Sequence, residues 1–401
     1  MLLVSPQHID VCIIPAGFQV FNNYFKTFHE IIFSNFKFQN NFNGFSSLKL
    51  ELEKFNIDEV FILLESTGHY GENFTAFFHN LGFKLGIINP LQTASLRKAK
   101  IRDSKNDRLD SITIAQSYLI NKPRVISQKD ILCNTLKYLN RSRNDRVKER
   151  SKYKIKLTGC IDIVFPELQF FFNGIHHKGV YALLKHYNTK EAIAAIRIDK
   201  LSNTIYKASH GRFDRDKATA LKSLAKTSVG IDSKALSIEI TQIIQLIEFL
   251  DKQINDLEDE IKTVLKTLNS TIQSIPGISH NASAAIIGEI GIIDKYSHPS
   301  KLIALAGIDP KVRQSGNFNA SSTRMSKRGS RYLRYALIFT AWNLVRHSPN
   351  INAYYQKKRA QGKSHYNALG HVAGKLCRII FKLLKNDMVY NEDKIKVLLD
   401  S

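Results

Sequence analysis

Ser315 and Gly316 lie shortly before a strongly basic stretch of the chain, RMSKRGSRYLR at 324–334. A Ser-Gly pair is common in turns, so a serine here needs no chemical role. A serine hydroxyl can also attack phosphorus when nearby cations stabilise the charge that develops. From composition alone, Ser315 is either a turn serine or a nucleophile at a phosphate-binding place. The candidate cations are Arg313, Arg324, Lys327, Arg328, Arg331 and Arg334.

Three carboxylates form a second candidate group. Glu65 ends the apolar run EVFILLE, and α/β folds place reactive residues beyond the carboxyl ends of strands. Asp107 and Asp110 are three positions apart, so on a helix they share one face and repel each other. Mg²⁺ takes oxygen ligands of this kind and neutralises charge on a phosphate. The alternative is a solvated pair balanced by Lys105 and Arg108, but Glu65 and the positive charge of the chain favour metal binding.

The charge balance indicates a polyanionic partner. The 401 residues include 58 Lys and Arg against 35 Asp and Glu, a net charge of +23, and the cations cluster. A hydrophobic content of 43% with 23% charged residues is typical of globular domains, and the length allows two or three of them. The four cysteines are too far apart to indicate a zinc site or a disulfide framework. We expect neither a signal peptide nor a membrane span.

The elements that must position these residues begin with an α/β region over the first 120 residues. Short apolar runs rich in β-branched residues predict strands, and segments of helical periodicity lie between them. Strands that alternate with helices predict a sheet with crossover connections. The predicted strands are 8–14, a pair at 17–25 and 35–42, 58–66 and 83–90, and the predicted helices are 46–55, 73–82 and 104–119.

A long amphipathic helix is predicted over 238–268. Its apolar residues step by three and four from Ile240 to Leu268, which is a heptad seam. The seam indicates a coiled coil or a long antiparallel helical hairpin. Of these, self-association is favoured over an intrachain pair because of the length.

Between the two regions the sequence is helical with weaker signals. The stretch 141–156 is dense in cations, which indicates either a solvated helix face or contact with a nucleic-acid backbone through Arg141, Arg143 and Arg146. The aromatic and basic residues within 157–235 suit RNA stacking or a small helical core equally well.

The last 120 residues predict a compact, Ala-rich helical domain. It begins at SIPGISHNASAAII, 274–287, where a Gly-containing turn before a helix is typical of a helix-hairpin-helix phosphate contact. A plain start of a helix after a loop is an equally good interpretation.

The ordered motifs LLESTGHY, IINP, KNDRLDSITIA, SIPGI, AGIDPKVRQSGN, RMSKRGSRYLRYAL and YYQKKRAQGKSHYNALGHVAGKL resemble one family. It is the DEDD-type transposases of the insertion-sequence family numbered one hundred and ten, relatives of the Piv-type DNA invertases. The resemblance covers roughly 1–120 and 270–390 in this chain.

The resemblance implies an α/β RuvC-like N-terminal domain of RNase H fold over 1–120 and a helical linker with a coiled coil over 121–269. A mainly α-helical transposase domain over 270–390 and a tail over 391–401 follow. It implies that Glu65, Asp107 and Asp110 bind Mg²⁺ and that Ser315 is the nucleophile. The implied partners are donor and target DNA, a structured non-coding RNA (the bridge RNA) that guides the protein, and copies of the chain in a dimer or tetramer. The implied location is the bacterial or archaeal cytoplasm, with the nucleoid.

One departure affects the metal site. Family members usually begin with a strand, Gly-Ile-Asp-Val-Ser-Lys, whose Asp is the first metal ligand. Here VSPQHIDVCII aligns so that Leu3 stands at that ligand and Asp10 at a second Asp that is usually not catalytic. Either the start is truncated or wrongly assigned, or this copy has lost its first ligand. Substitution by Asp10 through a register shift is less favoured than loss of the ligand.

Three hypotheses for function follow. The leading one is an RNA-guided DNA recombinase that joins Ser315 covalently to DNA. The second is a Piv-like invertase that acts on fixed sites. The third is a decayed transposase that binds nucleic acid without cleaving it, and Leu3 is the residue that keeps this hypothesis open.

Overall fold

The computed structural model describes residues 2–4, 8–13, 34–65, 69–88, 124–209, 211–311, 314–315, 318–319 and 324–394. The chain divides into two compact units, Met1–Ile131 and Leu132–Ser401. The strand predicted over 17–25 and the helix predicted over 104–119 lie outside the described residues. Among those that are described, no helix combines the length and apolar character needed to cross a bilayer.

The first unit contains a mixed five-stranded sheet. Its strands are β1 (Leu2–Val4), β2 (His8–Ile13), β3 (Ser34–Gln39), β4 (Phe61–Glu65) and β5 (Lys84–Ile88). They lie in the order β3-β2-β1-β4-β5, antiparallel from β3 to β1 and parallel from β1 to β5. A mixed sheet with crossover helices agrees with the α/β prediction for this region.

Two helices cover one face of this sheet through phenylalanine-rich packing. Helix α1 (Phe42–Leu52) follows β3, and helix α2 (Glu72–Asn80) connects β4 to β5. Ile62 and Leu64 of β4 alternate toward the core that these helices form. The core contains Phe45, Leu48, Leu52, Phe74, Phe78, Phe83 and Leu85. Because β4 is paired on both sides and buried, it is continuously apolar up to Glu65.

The second unit is almost entirely helical. After α3 (Gln128–Val164), which begins just before the unit, come α4 (Glu167–Phe171), α5 (Lys178–His186), α6 (Lys190–Ala195), α7 (Ile198–Ala208) and α8 (Arg215–Thr227). The long α9 (Lys234–Leu268) leads to α10 (His280–Ile290) and α11 (Pro299–Ala306). A small hairpin of β6 (Gln314–Ser315) and β7 (Phe318–Asn319) precedes α12 (Arg331–His347), α13 (Pro349–Ala360) and α14 (His365–Lys385).

The long helices α3 and α9 run antiparallel beside each other. Arg143 pairs with Glu258 at 2.7 Å near one end of the contact. Arg150 pairs with Asp251, and Lys156 with Glu239, so the partner number falls along α9 as it rises along α3. With 37 and 35 residues, the two helices are each about 50–55 Å long.

The heptad seam of α9 is buried within the chain itself. Its residues Ile240, Ile243, Ile247, Leu250, Ile254, Ile261 and Val264 are all buried. The preference for self-association through this seam is therefore corrected, because the chain supplies the apolar partners of the seam. The intrachain antiparallel pair is the alternative that the structure supports.

Each end of the α3–α9 pair lies in a separate core. One core joins Leu157 and Ile161 of α3 and Ile243 of α9 to helices α4–α8. The other joins Leu136 of α3 and Ile261 of α9 to helices α10–α14. The two long helices therefore connect both cores of the second unit.

The aromatic stretch within 157–235 forms mainly a helical core. Phe165, Phe172 and Tyr181 are buried in the core of α4–α8, whereas Phe170 is 90% exposed. Of the two alternatives left open for this stretch, a small helical core accounts for these buried rings, which are not available for RNA stacking.

Replacing Ile247 with Ala tests the intrachain seam. Ile247 is fully buried, so we expect a loss of about 2–5 kcal/mol in the free energy of unfolding. The measurement is urea unfolding followed by far-UV circular dichroism. The matched control is Ile238→Ala on the same helix, which should change stability by less than about 0.5 kcal/mol because Ile238 is 52% exposed. A loss for Ile247→Ala that grows as the protein is diluted would contradict intrachain packing.

Candidate nucleic-acid interface around Ser315

Ser315 is the last residue of β6, directly before the Gly316–Asn317 connection to β7. Ser315 pairs with Phe318 and Gln314 with Asn319 in an antiparallel register. This antiparallel pairing makes β6 and β7 a small hairpin. The hairpin sets the backbone position of Ser315 relative to its neighbours.

A backbone ladder closes the segment that carries this hairpin. On one side lies 305–311 and on the other 324–330, joined antiparallel. Lys311 N–H donates to Arg324 C=O at 2.8 Å, and Ser326 N–H donates to Asp309 C=O at 2.8 Å. Two further bonds follow from Lys327 N–H to Gly307 C=O at 3.0 Å and from Ser330 N–H to Leu305 C=O at 2.7 Å.

Two glycines allow this close approach. Gly307 has φ +63°, the left-handed conformation common just beyond the end of a helix, and it follows α11. A Cβ on Gly329 would lie 2.0 Å from the carbonyl oxygen of Leu305, and one on Gly307 would lie 2.6 Å from the Gly329 nitrogen. Any side chain at either position would force the two sides of the ladder apart.

Cations surround the base of this segment. Lys311, Arg324, Lys327, Arg328 and Arg331 are exposed. Lys327 has φ +55°, a backbone conformation that is unfavourable for a residue with a side chain and that often marks functional sites.

Two other predicted cations of this region are not part of the exposed group. Arg334 is partly buried, and its Nη1 donates to the Ala306 carbonyl at 2.9 Å, which satisfies the end of α11. Arg313 lies outside the described residues. The predicted basic surface therefore contains Arg324, Lys327, Arg328 and Arg331, whereas Arg334 has a structural contact.

A carboxylate holds the ladder to the rest of the second unit. Glu289 of α10 receives two hydrogen bonds from Arg141 of α3, Nε to Oε1 at 2.7 Å and Nη2 to Oε2 at 3.0 Å. The Ser330 hydroxyl donates to Oε2 of the same carboxylate at 2.8 Å, and its oxygen accepts from Leu333 N–H to cap α12. Glu289 thus links α3, α10 and the start of α12.

The ionisation of Glu289 depends on these partners. Burial alone raises the pKa of the Glu289 carboxyl, and only 4% of its side chain is exposed. The hydrogen bonds from Arg141 and Ser330, with the charge of Arg141, outweigh burial and bring the pKa below its ordinary value. Glu289 was not among the predicted site residues. Its spacing from apolar neighbours resembles that of any helical acid, so the sequence carries no signal for it.

The basic stretch of α3 is largely neutralised by the protein. Arg141 contacts Glu289, and Arg143 contacts Glu258, which also accepts from Asn281 at 2.8 Å. Arg146 forms an exposed pair with Glu149 on its own helix at 3.3 Å. Nucleic-acid binding by Arg141, Arg143 and Arg146 stays a prediction, and of the three only Arg146 has a partner that lies wholly on the surface.

The predicted acids belong to the first unit. Glu65 is buried at the carboxyl end of β4, where its backbone pairs with Ile88 of β5. Asp10 lies on β2 opposite Leu3 of β1, which agrees with the alignment that puts Asp10 on the second strand. Asp107 and Asp110 lie outside the described residues.

The chemical type of the predicted ligands, which are all carboxylates, suits a divalent cation. Glu65 is an oxygen donor of the kind that Mg²⁺ prefers, at the end of a parallel strand. β1 supplies only Leu2, Leu3 and Val4 and hence no carboxylate. Within the described ranges no three His, Cys, Asp or Glu side chains come together as a metal site. The ligand roles of Glu65, Asp10, Asp107 and Asp110 stay predictions.

Comparison with known proteins gives two family matches. A model described as "Transposase", of the DEDD type from IS110, matches residues 6–166. A model described as "Transposase IS116/IS110/IS902 family" matches residues 269–356. Between them lies the region of α4–α8 and α9.

Individual relatives extend over most of the chain. It is 23% identical to the transposase for insertion sequence element IS1111A of Coxiella burnetii, over 82% of this chain and 79% of the relative. It is 23% identical to an uncharacterized 44.8 kDa protein of insertion element IS116 from Streptomyces clavuligerus, over 72% and 73%. It is 21% identical to the pilin gene-inverting protein of Moraxella bovis, over 89% and 91%.

Replacing Glu289 with Gln tests the link between α3 and α12. The change keeps the side-chain size but removes the charge that Arg141 and Ser330 bind. We therefore expect the free energy of unfolding at neutral pH to fall by about 1–3 kcal/mol. Because the folded-state pKa lies below the ordinary value of 4.5, the carboxylate stabilises the fold above that value. This contribution is lost as the pH falls through the folded-state pKa.

The measurement is Tm by circular dichroism between about pH 7 and about pH 3, a range that spans ordinary carboxyl pKa values. The difference in Tm between wild type and Glu289→Gln should shrink as the pH falls. Glu149→Gln is the matched control on an exposed pair and should change Tm little at any pH. A Glu289→Gln difference that stays constant over the whole range would contradict the proposed carboxylate role.

Proposed function

Because this chain belongs to the IS110 family of transposases, we propose that it cuts and rejoins DNA through a covalent bond between Ser315 and a DNA phosphate. One observation carries this proposal. Ser315 lies in a segment closed by a backbone ladder, and both sides of that ladder bear exposed cations. A turn serine in an ordinary loop would need neither feature.

The chemistry conserves the phosphodiester bond. Ser315 Oγ attacks phosphorus, its proton passes to a base, and the bond from phosphorus to one deoxyribose oxygen breaks. That oxygen leaves as a hydroxyl after taking up a proton. In the second step a hydroxyl of another strand attacks the phosphoserine, and Ser315 regains its proton. No external energy source is required because one phosphate ester replaces another.

The exposed cations have two roles in this proposal. Lys311, Arg324 and Lys327 hold the backbone of the DNA beside the hairpin by phosphate contacts. Arg328 and Arg331 add positive charge where negative charge develops on the phosphoryl oxygens. Gly316 permits close approach of the backbone to the phosphate because it has no side chain.

We propose that Glu65, Asp107 and Asp110 bind Mg²⁺, with Asp10 as a less favoured fourth ligand. When bound, the ion would polarise the phosphate and offset its charge. The family match supports a divalent metal, and the oxygen chemistry of Glu65 suits it. Leu3 at the usual first ligand leaves a smaller set of carboxylates than the family resemblance implies.

We further propose a structured non-coding RNA as guide and a dimer or tetramer as the active assembly. The resemblance is the support for both. The Moraxella bovis relative, a pilin gene-inverting protein, supports inversion at fixed sites as the second candidate. RNA dependence separates the two, because an invertase of fixed sites should react at full rate without the RNA.

Replacing Ser315 with Ala tests the nucleophile. Wild-type protein, its RNA and labelled DNA carrying the element junction are incubated with Mg²⁺ and separated on a denaturing gel. We expect a protein–DNA adduct with wild type and none with Ser315→Ala, because only the hydroxyl forms the ester.

Ser322→Ala, a serine of the same segment, is the matched control and should retain the adduct. Ser315→Ala should bind the DNA with wild-type affinity in a filter assay, within about twofold, since the hydroxyl adds no charge. An adduct that persists in Ser315→Ala would exclude this serine. If wild type forms no adduct but binds DNA, the third hypothesis of a binding-only protein is the correct one.

Mixing two inactive variants tests whether active sites are shared between protomers. If the serine of one protomer acts with the acids of another, co-refolded Ser315→Ala and Glu65→Gln should form adduct although neither does alone. Mixed dimers would contain one site with both intact residues. Adduct yield is measured on the same gel. Absence of adduct in the mixture, with mixed oligomers shown by two affinity tags, would mean that each protomer uses its own residues.

A further inference from the structure

Helix α12 presents aromatic and basic residues along one exposed face. Arg331, Tyr335, Phe339, Trp342 and Arg346 follow at intervals of four, four, three and four, which places them on one side of a helix. Tyr335 is 67% exposed, Phe339 37% and Trp342 39%. We call this set the α12 stripe.

Packing of the core does not require these rings. The opposite face of α12 supplies Leu333, Ala336, Leu337, Ala341 and Leu344 to the core of α10–α14. Tyr335, Phe339 and Trp342 are not part of that core, and a contiguous exposed row of large aromatic side chains usually marks a binding surface.

The rings of the stripe form a continuous series. The planes of Tyr335 and Phe339 are nearly parallel, at 12°, with centroids 6.2 Å apart. Phe339 and Trp342 follow with centroids 6.3 Å apart. The Arg346 guanidinium lies 4.2 Å from the centroid of the Trp342 ring, a cation–π contact that places positive charge beside the indole.

The charge of α12 selects among possible occupants. The sequence RYLRYALIFTAWNLVRH contains no Asp or Glu, and the stripe has an arginine at each end. A second copy docked on this face would bring arginines together without an acid of α12 to balance them. Bases with a phosphate backbone combine the flat surfaces and the negative charge that the stripe complements.

The position of the stripe relates it to the Ser315 segment. α12 begins directly after the ladder strand 324–330, so the Arg331 end adjoins the exposed cations at the base of that segment. At the other end, Asn343 Nδ2 donates to the Gly277 carbonyl at 3.4 Å, and the Gly277 backbone packs against the His347 ring. The Gly277 turn of the 274–287 stretch, for which a phosphate contact is one of the two predicted interpretations, therefore lies beside the far end of α12.

We propose that the α12 stripe binds unpaired bases of the DNA strand next to the phosphate that Ser315 attacks. Tyr335, Phe339 and Trp342 stack on the bases, while Arg331 and Arg346 contact phosphates on either side. This inference rests on the proposed function, since strand exchange requires that paired bases separate near the cut. The stripe would hold the separated strand while it is without a partner.

The single tryptophan of the chain makes a direct test possible. Because Trp342 is the only tryptophan, its fluorescence reports on the stripe alone. Full-length Ser315→Ala protein, which avoids cleavage, is titrated with a single-stranded thymidine oligonucleotide and with a duplex of equal length. We expect the single strand to quench Trp342 emission and the duplex to leave it nearly unchanged.

Substitutions then separate stacking from charge. Tyr335→Ala and Phe339→Ala should each weaken single-strand binding about 5- to 100-fold and leave duplex binding within about twofold, as measured by fluorescence anisotropy of labelled DNA. Arg346→Ala should make the plot of log affinity against log salt concentration less steep, reducing the size of its negative slope by about 0.7. Phe170→Ala, at an exposed ring outside the stripe, is the matched control and should change neither affinity.

Four outcomes would overturn the proposal. The first is equal quenching of Trp342 by duplex and single strand, and the second is unchanged single-strand affinity in both ring variants. The third is stronger quenching of Trp342 by a uridine oligoribonucleotide than by the DNA, which would make RNA the occupant. The fourth is a lower oligomeric mass of Phe339→Ala without nucleic acid, which would make the stripe a protein interface. The adduct assay on Ser315 is independent, so an absent adduct with intact quenching would refute the proposed function and not the stripe.

Discussion

The ladder between 305–311 and 324–330 is the contact on which the candidate site depends. It brings the two ends of the Ser315 segment together, and it requires glycine at 307 and 329 because no Cβ fits between the two backbones. Its last residue, Ser330, both caps α12 and donates to Glu289, whose carboxylate is bound in turn by Arg141 of α3. The position of the segment is thereby coupled to the long helix pair that connects the two helical cores. A disturbance of α3 at Arg141 would reach the base of the Ser315 segment through a single carboxylate.

The positive charge of the chain is used in two physically different ways. On α3, arginines face acids of α9 and α10, and these pairs hold helices together across a polar part of their contact. Around the ladder and along α12, exposed cations adjoin backbone turns and aromatic rings instead. Cations of the second kind contact neutral groups, such as the Tyr332 hydroxyl that accepts from Arg331 and the Trp342 ring beside Arg346, so a phosphate can bind them without breaking an ion pair of the kind formed on α3. A high net charge therefore indicates a polyanion, but the pairing of each residue decides which surface meets it.

The predicted acidic residues lie in the first unit, whereas Ser315 lies in the second. Glu65 ends a buried parallel strand, as expected for a residue that supplies an oxygen to a cation. Leu3 occupies the neighbouring strand, and Asp10 lies one strand further away. Because β1 supplies no carboxylate, the predicted ligands of a metal ion on this unit are Glu65, Asp107 and Asp110.

Much of the architecture followed from the sequence alone, because it depends on local periodicity. Short apolar runs rich in β-branched residues predicted strands that the structure has as β2, β4 and β5, and steps of three and four predicted α9. Ordered motifs identified the family and singled out Ser315. Tertiary structure alone decided what the long seam packs against, since an apolar stripe is the same whether its partner is another copy or another helix of the chain. It alone also showed that Arg141 and Arg143 face acids more than 100 residues away, whereas Tyr335, Phe339 and Trp342 face outward. Pairing between distant residues is a property of the folded chain, and no local pattern encodes it.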